Sequence, residues 1–243
     1  MIIIFVATLI RSAFGFGEAL VAVPLLAFCI PLDIAAPLAV LVSITIAGVI
    51  VVQDWRKIHV RSTGWLVLAT VAGIPLGLWL LTSSHQRIVK ATLALIIIAF
   101  SAYSLTYSFL DRKAPHLERD SYLWLIGCGF CAGVLDGAYG MNGPPLVVYR
   151  TMRRWSAQHF RATLQGYFLP ASLMGMAGYW AAGLWVPAVT HYFLLSLPVM
   201  LPAVLLGRVI NHRLEAETFL RYVYFGLAGI GAVLLIEALR GHP

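Results

Sequence analysis

Residues 15–18 read Gly15-Phe16-Gly17-Glu18, and they interrupt a hydrophobic run that extends over residues 2–30. A second break reads Gly140-Met141-Asn142-Gly143-Pro144-Pro145 and interrupts the run over residues 122–149, about half a chain later. Unsatisfied backbone groups at bilayer depth cost several kcal/mol each, so such breaks persist only where protein or a water-filled cavity surrounds them. Broken helices at matching positions of two halves are typical of the binding sites of membrane transporters.

The composition places the chain among membrane proteins. Of its 243 residues, 60% are hydrophobic and 11% are charged, whereas a soluble domain carries about 25% charged residues. The net charge of +7 would favour nucleic acid as the partner of a soluble protein. Here the basic residues concentrate between the hydrophobic runs, as they do in cytoplasmic loops. The composition therefore predicts a lipid bilayer as the surroundings and no nucleic acid as a partner.

Six further hydrophobic runs are uninterrupted, and each is close to the roughly 20 residues that a spanning helix needs. They cover residues 34–52, 63–81, 89–109, 162–182, 189–209 and 219–239. The first arm of the first broken run is only about 20 Å long at 1.5 Å per residue, which does not cross a ~30 Å hydrocarbon core. Each broken run is therefore either one kinked spanning helix, giving eight spans with the first and fifth broken, or a re-entrant helical hairpin.

The distribution of Lys and Arg discriminates between these two topologies. With two hairpins, thirteen of the basic residues fall on one side of the membrane and three on the other, and Arg11 lies inside a hairpin. With eight spans the basic residues divide almost evenly, which gives no orientation. The positive-inside rule therefore predicts hairpins, with both termini on the periplasmic side.

The predicted fold is an all-α integral membrane protein built of two inverted repeats. Residues 1–110 form the first repeat, with a hairpin over 2–30 and three transmembrane helices. A cytoplasmic linker over 111–121 precedes the second repeat, residues 122–243, whose hairpin covers 122–149. Three crossings per repeat invert the second relative to the first, which is a common plan among secondary transporters.

Arg11 and Asp136 are ionisable residues at membrane depth, and each stands one helical turn before its break. Such residues are rare and expensive in a bilayer, and they commonly mark functional sites. One reading is a buried ion pair that locks the two hairpins together. In the other, Arg11 presents a forked donor to an anionic substrate, while Asp136 takes up a proton or orients a neighbour.

Glu18 follows the first break at the amino end of the second hairpin arm, where free N–H groups and the helix dipole favour a negative charge. It is either a cap of that helix or a carboxylate that couples transport to protons.

The remaining candidates are donors for a small anion. Gly15, Gly17, Asn142 and Gly143 are predicted to offer backbone N–H groups at two helix amino ends that converge near the midplane. The glycines are also compatible with tight helix packing alone. Gln165, a polar residue at depth after the second break, is a further donor to substrate or an interhelical hydrogen-bond partner.

The sequence contains no metal-ligand spacing, P-loop, dinucleotide fingerprint or nucleophile elbow. It therefore predicts no metal, no cofactor and no enzymatic activity. A homo-oligomer is compatible with the sequence, which does not fix the number of copies.

The two breaks and their surroundings resemble the sulfite exporter TauE/SafE family, also called the toluenesulfonate uptake permeases. Its hallmark is a glycine-rich stretch followed by an apolar segment, once per half. The first copy here covers residues 15–26 and reads Gly15-Phe16-Gly17-Glu18-Ala19-Leu20-Val21-Ala22-Val23-Pro24-Leu25-Leu26. The second covers residues 137–149 and reads Gly137-Ala138-Tyr139-Gly140-Met141-Asn142-Gly143-Pro144-Pro145-Leu146-Val147-Val148-Tyr149. The segment Phe160-Arg161-Ala162-Thr163-Leu164-Gln165 is also similar to the second half of the family.

This resemblance implies transport of a small sulfur-containing anion, such as sulfite, a sulfonate or sulfoacetate, across a bacterial inner membrane. Combined with the two breaks, it predicts a secondary transporter that works by alternating access around the hairpin tips. Proton coupling through Glu18 or Asp136 is a further hypothesis. The alternative is a passive anion channel in which the hairpin tips form a fixed filter.

Overall fold

The computed structural model describes residues 1–54, 60–110, 122–153, 157–211 and 216–240, and these residues form helices and short connections without a strand. The helices are Ile2–Phe14 (α1), Glu18–Leu26 (α2), Leu32–Asp54 (α3), Val60–Ser83 (α4), Gln86–Leu110 (α5), Tyr122–Tyr139 (α6), Gly143–Arg153 (α7), Ala157–Ala181 (α8), Pro187–Asn211 (α9) and Ala216–Arg240 (α10).

Both hydrophobic runs with glycine-rich interruptions are broken in the structure at those glycines. The first break separates α1 from α2, and the second separates α6 from α7. In each case the two helices that flank the break pack against each other. At 1.5 Å per residue, α1 and α2 are only about 20 and 14 Å long.

Five of the long helices are apolar and long enough to cross a membrane. The segments are Leu32–Val49, Gly64–Ser83, Gln86–Tyr107, Pro187–Gly207 and Arg221–Arg240. They overlap five of the six predicted spans, and α8, whose side chains are described only in part, overlaps the sixth. The chain is thus an all-helical, multi-pass membrane protein.

The outer surface of the bundle is apolar, as expected of a surface that faces lipid. Leucine, isoleucine, valine and phenylalanine side chains are exposed along α4, α6, α9 and α10. Exposed tryptophans lie near helix ends, where aromatic rings occupy the membrane–water interfaces; they are Trp65, Trp79, Trp124, Trp180 and Trp185.

Helices from the first half of the chain pack mainly against helices from the second half. The broken helix α1 packs on α9, and the broken helix α6 packs on α4. Two further contacts join equivalent helices, α3 with α8 and α5 with α10. Matching α1–α5 in order to α6–α10 makes α1 equivalent to α6 and α4 equivalent to α9. The contact of α1 with α9 is then equivalent to the contact of α6 with α4. The contact of α3 with α9 likewise becomes that of α8 with α4.

The interface between α4 and α6 depends on a stripe of glycines. Gly73 and Gly77 on α4 face Gly129, Gly133 and Gly137 on α6 at four-residue spacing, so that the two backbones touch. A Cβ atom at Gly133 would collide with the Thr70 carbonyl oxygen, and one at Gly77 would lie 2.7 Å from the Ala138 nitrogen. Small residues allow this close approach between membrane helices. The α6 helix is therefore tightly fixed to α4 just before the second break.

Candidate functional site

The first break is shaped by two glycines in left-handed backbone conformation. Gly15 ends α1 with a φ of 88°, and its N–H donates to the carbonyl oxygen of Arg11 at 2.6 Å. Gly17 starts α2 with a φ of 99°. L-residues with a side chain rarely adopt such angles, so the sharp turn requires glycine at both positions.

The second break repeats this cap 125 residues later. Gly140 ends α6 with a φ of 64°, and its N–H donates to the carbonyl oxygen of Asp136 at 2.7 Å. This 5→1 bond is the αL type of helix end, and the N–H of Met141 donates to the Leu135 carbonyl at 3.2 Å. Arg11 and Asp136 therefore occupy equivalent places relative to their breaks.

Arg11 is buried, with 1% of its surface exposed, and it forms an ion pair with the buried carboxylate of Glu18. The same Nη1 atom donates to the hydroxyl of Ser43 on α3 at 2.6 Å. The guanidinium carbon lies 4.7 Å from the centre of the Phe168 ring on α8, within cation–π range. Ser43 also accepts a hydrogen bond from the Ser172 hydroxyl at 3.2 Å. Three helices besides α1 thus converge on one guanidinium.

Asp136 does not pair with Arg11, so the reading of these two residues as an ion pair between the hairpins is wrong. Glu18, seven residues after Arg11 and across the break, supplies the negative partner instead. Asp136 is completely buried and accepts a hydrogen bond from the Asn142 side-chain amide at 3.2 Å. Its other carboxyl oxygen lies against Gly175 of α8, where there is no room for a Cβ atom.

Several buried polar atoms of this cluster have no hydrogen-bond partner among the described residues. They are the Nε and Nη2 atoms of Arg11, the Oε1 atom of Glu18 and the Oδ2 atom of Asp136. Buried polar groups in native proteins are nearly always paired with protein, water or ligand. The unpaired edge of Arg11 is the edge that binds two oxygens of one oxyanion in forked geometry.

A small cavity joins the two breaks, and Arg11 is part of its lining. It has a volume of about 20 Å³, which is room for about one water molecule. Its lining comes from both breaks and from three long helices: Arg11, Phe16, Gly17, Glu18, Ala19, Leu20, Ser43, Phe100, Gly140, Met141, Asn142, Gly143, Pro144 and Phe168.

Most of the residues selected from the sequence lie at this cavity. Arg11, Gly17, Glu18, Asn142 and Gly143 line it. Of the other three, Gly15 donates its N–H to the Arg11 carbonyl, and Asp136 accepts a hydrogen bond from the Asn142 side chain. The third, Gln165, belongs to α8, but its side chain is outside the described part of the protein.

The two helix amino ends at the cavity differ in what they offer an anion. A helix leaves its first four N–H groups without partners inside the helix. At α2 these groups belong to residues that all carry an N–H, beginning with Glu18. At α7 the first turn contains Pro144 and Pro145, which have none. The α2 end consequently has more backbone N–H groups in its first turn than the α7 end.

Ser43, Ser172 and Phe168 complete the cluster and were missed by sequence reasoning. Ser43 had a usable signal, since it is a polar residue in the middle of an apolar span. Phe168 had no such signal, because a phenylalanine in an apolar run is interpreted as a packing residue. Among the described residues, no group of three His, Cys, Asp or Glu side chains could hold a metal ion.

Comparison with known proteins gives one family and one curated relative. Residues 1–235 match the family described as "Sulfite exporter TauE/SafE". A protein of Cupriavidus necator named "Probable sulfite/organosulfonate exporter TauE" is 26% identical over 187 residues, which cover 76% of this chain and 70% of the relative. No solved structure matches the chain.

Proposed function

Because the chain belongs to the sulfite exporter TauE/SafE family, we propose that it is a secondary transporter that carries a small sulfur-containing anion across the bacterial inner membrane. The family and the relative are exporters, which identifies the chain as a membrane transporter and not an enzyme. The relative's name refers to sulfite and organosulfonates, and sulfite, a sulfonate or sulfoacetate is the substrate class proposed for this chain.

The observation that carries this proposal is the unpaired edge of Arg11. Its Nε and Nη2 atoms lack partners among the described residues, although the side chain is buried and lines the cavity at both breaks. Sulfite and sulfonate groups present oxygens at the spacing of the guanidinium fork, and arginine is preferred wherever an oxyanion is held in this way. We assign Arg11 the main contact to the anion.

Neutral donors surround that contact. The first turn of α2 lines the cavity from Gly17 onward, and Asn142 and Gly143 line it from the other break; a helix amino end favours an anion. Gln165 is proposed as an additional side-chain donor from α8. Gly15 contributes by shaping the turn, because its N–H is already used within α1.

We propose that the fold is a pair of inverted repeats, residues 1–110 and 122–243, each with one re-entrant hairpin. Two observations support this. The helices α1 and α2 are too short to cross a ~30 Å hydrocarbon core. In addition, when α1–α5 are matched in order to α6–α10, the contacts α1–α9 and α3–α9 correspond to the contacts α6–α4 and α8–α4. This topology puts both termini in the periplasm.

A cysteine replacing Ser83, at the end of α4, tests the topology. A membrane-impermeant thiol reagent added outside intact cells should label it, after the native cysteines have been replaced. Labelling only after the cells are opened would contradict the hairpin arrangement.

Glu18 is the proposed coupling residue. It already neutralises Arg11, so an incoming anion adds a negative charge to a site from which water is largely excluded. Protonation of Glu18 removes that excess charge and restores neutrality. The ionisable groups that face Glu18 are Arg11 on α1 and Asp136 on α6, which interacts with it electrostatically. Asp136 is the second candidate for this role.

The small volume of the cavity favours a carrier over a channel. Room for about one water is less than an oxyanion needs, so the hairpin tips must move before substrate binds. Alternating access provides this movement, whereas a fixed filter requires a path that is already open.

Uptake into proteoliposomes under an imposed proton gradient tests the function. We expect saturable uptake of labelled ethanesulfonate or sulfite, with accumulation against the gradient of the anion. Arg11→Lys keeps the charge but loses the fork, and it should weaken apparent affinity by at least about tenfold. Strictly downhill, non-saturating flux would instead identify a channel.

Two neutral isosteres test the coupling. Glu18→Gln should transport downhill but lose its response to the proton gradient, while Asp136→Asn should keep that response. The opposite result would move the coupling role to Asp136.

A further inference from the structure

The cavity between the breaks contains one positive and one negative side chain. Of the described residues that line it, Arg11 is the one cation and Glu18 the one anion. The two form an ion pair, and both are almost completely buried. The site is therefore electrically neutral when it is empty.

Apart from Arg11, the described lining offers neutral donors but no second full positive charge. Three phenyl rings, Phe16, Phe100 and Phe168, line the cavity together with Leu20 and Met141, and the Phe168 ring lies against the guanidinium. The next ionisable group, Asp136, is a carboxyl and adds no positive charge. An excess charge in such surroundings costs several kcal/mol, since water and counter-ions are excluded.

The unpaired donors of Arg11 also match a single anionic group. Two N–H-bearing atoms, Nε and Nη2, lack partners among the residues described, which suits two oxygens of one sulfur centre. Once Glu18 is protonated, one negative charge on the ligand balances Arg11. A second negative charge has no partner.

From this charge count we infer that the site selects monoanions: sulfonates with an uncharged substituent and hydrogensulfite bind, whereas the dianions sulfite, sulfate, thiosulfate and sulfoacetate are rejected. This inference rests on the proposed function and narrows its substrate class. The phenyl rings that line the cavity provide apolar contacts for the uncharged substituent of the sulfonate.

Matched competitors test the inference in wild-type proteoliposomes that take up labelled ethanesulfonate. Methanesulfonate and sulfate are close in size and shape but differ by one charge. We expect sulfate to compete at least about a hundredfold more weakly than methanesulfonate. Sulfoacetate adds a carboxylate to the sulfonate. It should likewise inhibit the uptake of labelled ethanesulfonate far more weakly than unlabelled ethanesulfonate does. Equal competition by sulfate and methanesulfonate would overturn the inference.

Sulfite gives a second test, because it changes from dianion to hydrogensulfite as the pH falls. Methanesulfonate stays a monoanion and therefore controls for any effect of pH on the protein itself. We therefore divide the inhibition constant of total sulfite by that of methanesulfonate. On the alkaline side of this transition, the ratio should decrease by up to about tenfold for each unit by which the pH is lowered. A ratio that does not depend on pH would contradict monoanion selection.

A gain of charge should relax the selection. Met141 is buried and lines the cavity, and Met141→Lys places a second cation there in a side chain of similar length. Sulfate should then compete at least about tenfold better relative to methanesulfonate, whereas the neutral control Met141→Gln should keep the wild-type ratio. If Met141→Lys does not fold, the wild-type comparison of sulfate with methanesulfonate still decides.

These outcomes separate the inference from the proposed function. If no sulfur anion is taken up and none raises thermal stability, the proposed function fails. If uptake is saturable but indifferent to ligand charge, the function stands and monoanion selection fails.

Discussion

The two breaks have the same backbone design but different chemistry. Each ends a helix with a left-handed glycine whose N–H caps the carbonyl of Arg11 or Asp136. At the first break the ionisable side chain points into a network with Glu18 and Ser43. At the second, Asn142 is the one side chain among the described residues that donates to the corresponding carboxyl. The shared turn thus positions a residue, and the side chains that follow determine whether that residue forms an ion pair or a single hydrogen bond.

This difference teaches that the two breaks contribute unequally to the cavity between them. The first break supplies the buried cation Arg11, its partner Glu18 and a helix amino end whose first turn keeps all its N–H groups. The second supplies a wall whose helix lacks two N–H groups, because Pro144 and Pro145 open α7. The helix before the second break, α6, is packed backbone to backbone against α4 through glycines.

Arg11→Gln should have the largest effect, because it leaves Glu18 buried without a cation. Loss of one partner of a buried pair costs about 3–5 kcal/mol. We expect a lower thermal unfolding midpoint in detergent and no anion uptake. The double variant Arg11→Gln/Glu18→Gln should recover most of the stability but none of the transport. A double variant as unstable as the single one would show that the pair is not the stabilising contact.

Gly133→Ala tests the close backbone packing of α6 on α4 before the second break. Its Cβ would collide with the Thr70 carbonyl oxygen, and such overpacking costs about 2–3 kcal/mol. Gly127→Ala, on the same helix, has open space around its Cβ and is the matched control. Thermal unfolding should separate the two variants clearly. Similar midpoints would mean that α4 and α6 can move apart at little cost.

Ser43→Ala should weaken the first break by about 1.5 kcal/mol, since a hydrogen bond to a buried guanidinium is lost. Ser196→Ala controls for the substitution itself, because among the described residues that buried hydroxyl bonds to the Tyr192 carbonyl of its own helix and to no other helix. A double-mutant cycle with Arg11→Gln should show coupling for Ser43 and none for Ser196.

Asp136→Asn should have the smallest effect, about 1 kcal/mol or less, because the amide keeps the acceptor that Asn142 uses. Uptake should remain close to that of the wild type. A loss of stability as large as that of Arg11→Gln would show that both breaks depend on a charged group, and the contrast between them would disappear.

Much of this architecture was predictable from sequence because it follows from local rules. Hydrophobic length gave the long helices, and clustered glycine gave the positions of both breaks. The partner of Arg11 was not predictable in the same way. Symmetry favoured Asp136, but the tight turn at Gly15 and Gly17 brings Glu18 back onto the guanidinium. Ser43 and Phe168 come from helices distant in sequence, and no local pattern places them there.

The packing of α1 on α9 has a consequence for biosynthesis. The Ser12 hydroxyl donates to the carbonyl of Val204, 192 residues further along the chain. At the speed of the ribosome, this neighbour of α1 is synthesised about 10–40 s after α1 itself. Without an earlier partner, Arg11 would be an unpaired charge in lipid during that interval. Both of its polar partners, Glu18 and Ser43, lie early in the chain and are available within a few seconds of its own synthesis. The ion pair that serves the finished protein thus also protects the nascent one while its second half is still being made.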